Sequence, residues 1–133
     1  VSAPRTGLAS TRPGGVSIQP ANKRLRSLTR PKKVVSGMTG EALSTCIHGT
    51  TAAVTHPDGN MVTFWSIENR NFIQRLELPK PRGVVLTKDS SRFVVSFGHD
   101  ASLLQIEART LQPLNSTLRR GTYLTGSHIY NIG

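Results

Sequence analysis

The sequence predicts an all-β protein of antiparallel four-stranded meanders, about two blades of a β-propeller, preceded by an irregular basic segment. The first observation is a repeat. Residues 64–72 align with residues 103–111, 39 positions further on (103 − 64), and Ile, Glu and Arg are identical at the same places. The second observation is that short β-branched and aromatic runs alternate with turn residues in both copies. Repeats of about 40 residues made of short strands are typical of propeller blades.

The length limits how much of a propeller this chain can form. A closed ring needs at least four blades of about 40 residues each, and the chain has 133 residues. The sequence therefore predicts either a fragment of a larger ring or a partial ring that another copy completes.

Charge divides the chain into residues 1–40, which we call the basic arm, and residues 41–133, which we expect to hold the blades. The arm carries eight Lys and Arg, no Asp or Glu, four prolines and no aromatic residue. Because it offers little apolar surface, we expect it to lack regular structure over most of its length. Its interpretation is open between a solvated linker, a stretch whose partner strands are missing, and a phosphate-binding segment for nucleic acid or an anionic membrane surface. The lack of aromatic residues that could stack on bases weighs against nucleic acid.

Strands of the first predicted blade are separated by turn residues. Pro57 and Asp58-Gly59 mark the turn over His56 to Asn60, and Pro79 to Arg82 ends the ladder, because proline supplies no amide donor. The four predicted strands are Ala42–Ile47, Thr51–Thr55, Met61–Ile67 and Phe72–Leu78.

The second predicted blade follows the same order. Its strands are Gly83–Thr87, Arg92–Phe97, Ser102–Glu107 and Leu111–Leu118, and a further strand pair is predicted at Tyr123-Leu124 and His128–Ile132. The third strands are continuously apolar, which indicates strands covered on both faces by neighbouring blades. Trp65 in the first of them is expected to be buried, and a helix is not expected across either.

The segment from Ala52 to Trp65, Ala-Ala-Val-Thr-His-Pro-Asp-Gly-Asn-Met-Val-Thr-Phe-Trp, resembles domain-of-unknown-function family 1513. Residues 83–96 resemble the strand–turn–strand signature of bacterial surface and periplasmic propellers. Trp65 is followed by Ser66, unlike the eukaryotic repeat that ends in Trp-Asp. The resemblance covers about Ala42 to Leu118, which would be the C-terminal blades of such a propeller, and it does not cover residues 1–40. It implies a larger bacterial propeller, exported to the periplasm and often encoded near imelysin-type iron-uptake proteins, and it offers no catalytic residues to transfer.

Motifs for catalysis or metal binding are not evident. The four histidines form neither a His-x-x-x-His pair nor a Cys/His ligand set, and there is no phosphate loop or nucleophile elbow. We therefore expect no metal, no cofactor and no catalytic residue, and we favour a non-enzyme. Cys46 is expected to be a buried structural thiol, and the repeated Glu68 and Glu107 are expected to serve turns or caps.

Topology predicts a binding face where motifs do not. In a four-stranded blade, the turn between the second and third strands lies at the same end as the link to the next blade. Loops on a rigid scaffold often form binding sites. The residues predicted on this ligand-or-partner face are His56, Lys80, Arg82, His99, Arg119 and Arg120. The face is positive, which favours an anionic ligand or an acidic partner. His56 and His99, with Asp58 and Asp100 nearby, are either part of a shared metal or anion site or merely exposed turn residues.

The sequence therefore favours a non-enzymatic, exported binding or scaffold propeller, linked to iron or metal uptake through protein contacts. The alternative is a nucleic-acid-binding protein that uses the basic arm. A hydrolase or oxidoreductase on a propeller scaffold is a third class, for which the sequence shows no converging titratable groups. No apolar run approaches the ~20 residues that a membrane-spanning helix needs.

Overall fold

The computed structural model describes residues 11–122 and Ile129. Within them lie one short helix and ten strands. These are β1 Ser17–Ile18, β2 Arg26–Ser27, α1 Lys32–Gly37, β3 Thr45–His48, β4 Thr51–His56, β5 Met61–Ser66, β6 Phe72–Glu77, β7 Val84–Leu86, β8 Arg92–Phe97, β9 Ser102–Glu107 and β10 Pro113–Arg119. Residues 1–10 of the basic arm and, apart from Ile129, the predicted strand pair after Gly121 lie outside the described residues.

Eight of the strands form two antiparallel four-stranded meanders, in the orders β3-β4-β5-β6 and β7-β8-β9-β10. Both third strands, β5 and β9, are strands and not helix, as predicted. This confirms the fold class: the two sheets are two consecutive propeller-like blades, and nearly all regular structure is β.

Several strand boundaries differ from the prediction by one to three residues, and the two largest differences lie at the starts of the first and the last blade strand. The last strand of the second blade begins at Pro113, because Leu111 has a φ of 59° and its N–H donates to the carbonyl of Glu107 at 2.8 Å, which closes the turn. The first strand begins at Thr45. Pairing continues before it, since Leu43 N–H donates to Thr55 O at 3.0 Å.

A single apolar layer lies between the two blades. Val62 and Phe64 of β5 face Phe93 and Val95 of β8, and all four side chains are fully buried. The rings of Phe64 and Phe93 are 5.9 Å apart and tilted by 54°. Alternate residues of β5 thus supply the layer between the blades, as side chains of a strand alternate between its two faces.

In the part of the chain that the structure describes, the other face of β5 is covered by the basic arm. Met61 and Trp65 pack against five arm side chains, each at most 7% exposed. These are Val16, Ile18, Leu28, Val34 and Met38. The continuous apolar run of β5 predicts cover on both faces, and both faces are covered, but on this face the cover comes from the arm and not from the neighbouring blade that we expected.

Residues 11–40 are mostly irregular, as predicted, with only β1, β2 and α1 as regular elements. The expected cause was wrong, however, because the arm does bury apolar side chains. The interpretation of these residues as a solvated linker is therefore wrong too. Backbone hydrogen bonds order the arm, among them Leu28 N–H to Val16 O at 2.8 Å and Gly40 N–H to Arg12 O at 3.0 Å.

The arm also closes tightly on the β4–β5 turn. A Cβ at Gly59 would overlap the carbonyl oxygen of Gly37, and one at Gly40, where φ is 69°, would overlap the carboxylate of Asp58. Glycine at these two positions lets the arm and the turn approach each other closely.

Candidate functional site

Four segments meet at one end of the two blades, which we call the loop end. They are the β4–β5 turn, the β6–β7 link, the β8–β9 turn and the residues that follow β10. Leu78 N–H donates to Asn60 O at 3.0 Å, Gly98 N–H to Pro79 O at 2.8 Å, and Gly121 N–H to Asp100 Oδ2 at 3.2 Å. The structure thus joins the turns and links that the topological argument placed together.

Three arginines of the predicted face are exposed at the loop end: Arg82, Arg119 and Arg120. Arg119 donates from Nη1 to the neighbouring Leu118 carbonyl at 3.2 Å. Within the described residues, the side chains of Arg82 and Arg120 have no hydrogen-bond or ion-pair partner. His99 is also exposed. The end of the second blade and the adjoining link therefore present guanidinium groups whose donors are free.

Lys80 contributes less to this charge than the sequence suggested. Its Nζ lies 3.0 Å from Asp58 Oδ1, and its backbone N–H donates to Asn60 Oδ1 at 3.0 Å. Both charged side chains are about two-fifths exposed, at 43% and 44%. An exposed pair of this kind stabilises the fold by at most about 1 kcal/mol, but it neutralises the charge locally.

His56 does not belong to the predicted face, and its interpretation as an exposed turn residue is wrong. It is the last residue of β4, pairs with Met61 in the ladder, and is fully buried. Its Nε2 lies 2.9 Å from Thr63 Oγ1, which also accepts a hydrogen bond from Trp65 Nε1 at 2.8 Å. Nδ1 has no partner among the described residues. Burial lowers the pKa of His56 to about 4, because the charged imidazolium is poorly solvated there.

His56 and His99 do not form a shared site, since one is buried and the other exposed. Their neighbouring carboxylates have structural roles. Asp100 accepts hydrogen bonds from Ser102 Oγ at 2.9 Å and from Gly121 N–H, and the Ser102 bond, with further backbone bonds, holds its pKa below the ordinary value. In the part of the chain that the structure describes, no three His, Cys, Asp or Glu residues are placed to hold a metal ion.

Glu107 serves a turn as expected, whereas Cys46 is less buried than expected. Cys46 is half-buried, and burial raises the pKa of its thiol, which disfavours the reactive thiolate. Glu107 Oε2 accepts the backbone N–H of Thr110 at 2.6 Å and of Arg109 at 3.1 Å, and these bonds lower the pKa of its carboxyl. In the first blade the corresponding bond is made by Asn69, whose Oδ1 accepts Asn71 N–H at 3.0 Å.

The sequence did not predict that Arg70 of the β5–β6 turn joins the cationic residues of the basic arm. Arg70 and Arg109 are equivalent in the repeat, but their environments differ. Arg109 is exposed, whereas Arg70 donates from Nη2 to Arg24 O at 2.8 Å and from Nε to Ile18 O at 3.4 Å. The identity of the two arginines was visible in the sequence. The contact of Arg70 with the arm was not, because it joins residues 46 or more positions apart.

Comparison with known proteins reveals likeness only at the level of fold. No family model and no curated protein matches the sequence. Among solved structures, the chain is similar to hydrazine synthase of Kuenenia stuttgartiensis, with a TM-score of 0.50 and 16% sequence identity over 55% of this chain. The match spans 22% of the hydrazine synthase chain. No helix among the described residues is both long and apolar enough to cross a membrane.

Proposed function

We propose that this chain is a non-enzymatic binding module whose loop end holds an acidic surface of a partner protein. The observation that carries the proposal is the exposure of Arg82, Arg119 and Arg120 on segments that hydrogen bonds join into one end. The two carboxylates of this end, Asp58 and Asp100, are engaged with Lys80 and with Ser102 and Gly121. Free guanidinium groups pair well with carboxylates and speed association with an acidic surface.

A protein surface suits this end better than an enclosed small ligand. The cavity beside the β4–β5 turn is lined by seven residues, and none of the three exposed arginines is among them. Their guanidinium groups lie outside that recess. Charges presented in this way can meet the carboxylates of another protein without closing around them.

We also propose that the module acts after export to the periplasm, where its protein contacts serve iron or metal uptake. The support for this step is the resemblance of the segment from Ala52 to Trp65 to domain-of-unknown-function family 1513. The confirmed propeller-blade architecture is compatible with that resemblance.

Nucleic-acid binding through the basic arm is the second candidate. The observation in its favour is that six arm cations are exposed: Lys23, Arg24, Arg26, Arg30, Lys32 and Lys33. Binding to a DNA duplex that weakens steeply with salt, and that survives replacement of the loop-end arginines, would favour this candidate.

Binding of a ten-residue polyglutamate peptide, used as an acidic probe, tests the proposed role of the loop end. The double variant Arg82→Ser/Arg120→Ser should bind the peptide about tenfold more weakly than the wild type, since two charge-assisted contacts are lost. The matched control is Lys88→Ser/Arg109→Ser, which removes the same charge from two exposed residues in other turns of the second blade. It should keep nearly the wild-type affinity in titrations at about 0.15 M salt.

Two outcomes of these titrations would contradict the proposal. An equal loss of affinity in both would show that only net charge matters. Unchanged affinity and unchanged salt dependence in Arg82→Ser/Arg120→Ser would show that the loop-end arginines are simply solvated. The substituted side chains are exposed, so the thermal unfolding midpoints should match that of the wild type.

A further inference from the structure

A polar cavity lies where the basic arm meets the β5–β6 turn of the first blade. Its volume is about 560 Å³, within the range of about 300–1,000 Å³ typical of ligand pockets. One wall consists of residues 26–31 of the arm, and the other consists of residues 69–72. Two separate parts of the chain therefore build it, and it exists only while the arm is docked on the blade.

Arg70 fixes the two walls of the cavity relative to each other. Its guanidinium reaches across to the carbonyls of Ile18 and Arg24, and its backbone has a φ of 61°. The arm wall is held by the pairing of β1 with β2, in which Ile18 lies opposite Arg26 and Ser17 opposite Ser27. Leu28 N–H donates to Val16 O at 2.8 Å directly beyond this pairing. These bonds preorganise the walls, which reduces the entropy lost when a ligand binds.

The cavity is lined by three arginines, Arg26, Arg30 and Arg70, and by no carboxylate among the described residues. Arg26 and Arg30 are exposed, and within the described residues their side chains have no hydrogen-bond or ion-pair partner. The hydroxyl of Thr29 and the amide of Asn71 add polar groups to the lining. The lining of the cavity therefore offers many hydrogen-bond donors and a strong positive charge, which favour an anionic ligand.

We propose that this cavity binds the phosphate group of a small organic phosphate, with Arg26 and Arg30 as its main ligands and Arg70 as the residue that holds the walls together. Guanidinium groups bind phosphate oxygens in a bidentate manner, and the bonds are charge-assisted. The apolar side chains of Leu28 and Phe72, also in the lining, offer contact for the organic part of the ligand. This site is built from different segments than the loop end and does not depend on the proposed partner binding.

The test uses the full chain with pyrophosphate as the probe, measured by titration calorimetry. The variant Arg26→Ser/Arg30→Ser should bind pyrophosphate at least about tenfold more weakly than the wild type. The control is Arg12→Ser/Lys23→Ser, which removes two cations from exposed positions of the same arm that do not line the cavity. It should bind with nearly wild-type affinity, and both variants should unfold at the wild-type temperature.

Two results would overturn the proposal. One is the absence of pyrophosphate binding by the wild-type protein at millimolar concentration, and the other is an equal loss of affinity in both double variants. If the expected result is obtained, competition identifies the source of the phosphate. Vesicles of phosphatidic acid that displace pyrophosphate indicate a lipid headgroup, and vesicles that leave it bound indicate a free phosphate compound.

Discussion

Replacement of Trp65 by alanine is expected to lower the free energy of unfolding by about 3–5 kcal/mol, as truncations of large core aromatic residues do. Trp65 is fully buried, and its ring lies 5.3 Å from that of Phe72 in an edge-on arrangement. The substitution removes the apolar contacts with the basic arm and also the donor to Thr63 Oγ1. Chemical denaturation of the two proteins measures the difference.

Ile73→Ala is the matched control for Trp65→Ala. Ile73 lies on the neighbouring strand β6 and is 44% exposed, so Ile73→Ala should lower the free energy of unfolding by much less than Trp65→Ala does. In Trp65→Ala we also expect the arm to become more sensitive to proteases than the blades, because its main contact surface is lost. A loss below about 1 kcal/mol would contradict the role of Trp65 as the centre of the arm–blade core.

Acidification from pH 6.5 to about 4 is expected to destabilise the fold by roughly 3 kcal/mol through His56 alone. The folded-state pKa of His56, about 4, lies below its ordinary value of 6.5, so in this range the unfolded chain binds more protons than the folded one. The contribution of neutral His56 to the free energy of unfolding is therefore fully present above pH 6.5, and it is lost as the pH falls toward the folded-state pKa of about 4. The measurement is the free energy of unfolding as a function of pH.

His56→Gln should remove most of this pH dependence, because glutamine does not titrate. The quantity to compare is the slope with pH and not the absolute stability, since the substitution also alters packing. His99→Gln, at an exposed position of the other blade, should retain the wild-type slope. A slope that persists in His56→Gln would assign the pH dependence to other groups.

The architecture could be predicted from the sequence because its signals are local. Turn residues such as Pro57 and Gly59 separate the strands, and the repeat of residues 64–72 at 103–111 sets the size of a blade. The strands β8 and β9 have the predicted bounds. The end at which the turns and links meet also follows from connectivity alone, because it depends only on the order of the strands.

What could not be predicted depends on contacts between distant segments. His56 lies next to a turn in the sequence, but β4 includes it and the side chain is buried. The sequence does not reveal that the charge of Lys80 is paired, but in the structure Lys80 pairs with Asp58, which lies 22 positions away in the chain. The arm has a polar, proline-rich composition, and its buried residues, such as Val16 and Met38, are too widely spaced to show a strand or helix period. Both the burial of the arm and the cavity at Arg26 follow from its docking on the first blade.

We conclude that residues 11–40 cover the face of the first blade where a neighbouring blade was expected, and amide hydrogen exchange tests this docking most directly. The amides of Leu28 and Gly40, bonded to Val16 O and Arg12 O, should be protected to an extent comparable with that of Phe64 in β5. Exchange of both arm amides at the rate of a free peptide, while Phe64 remains protected, would contradict the claim.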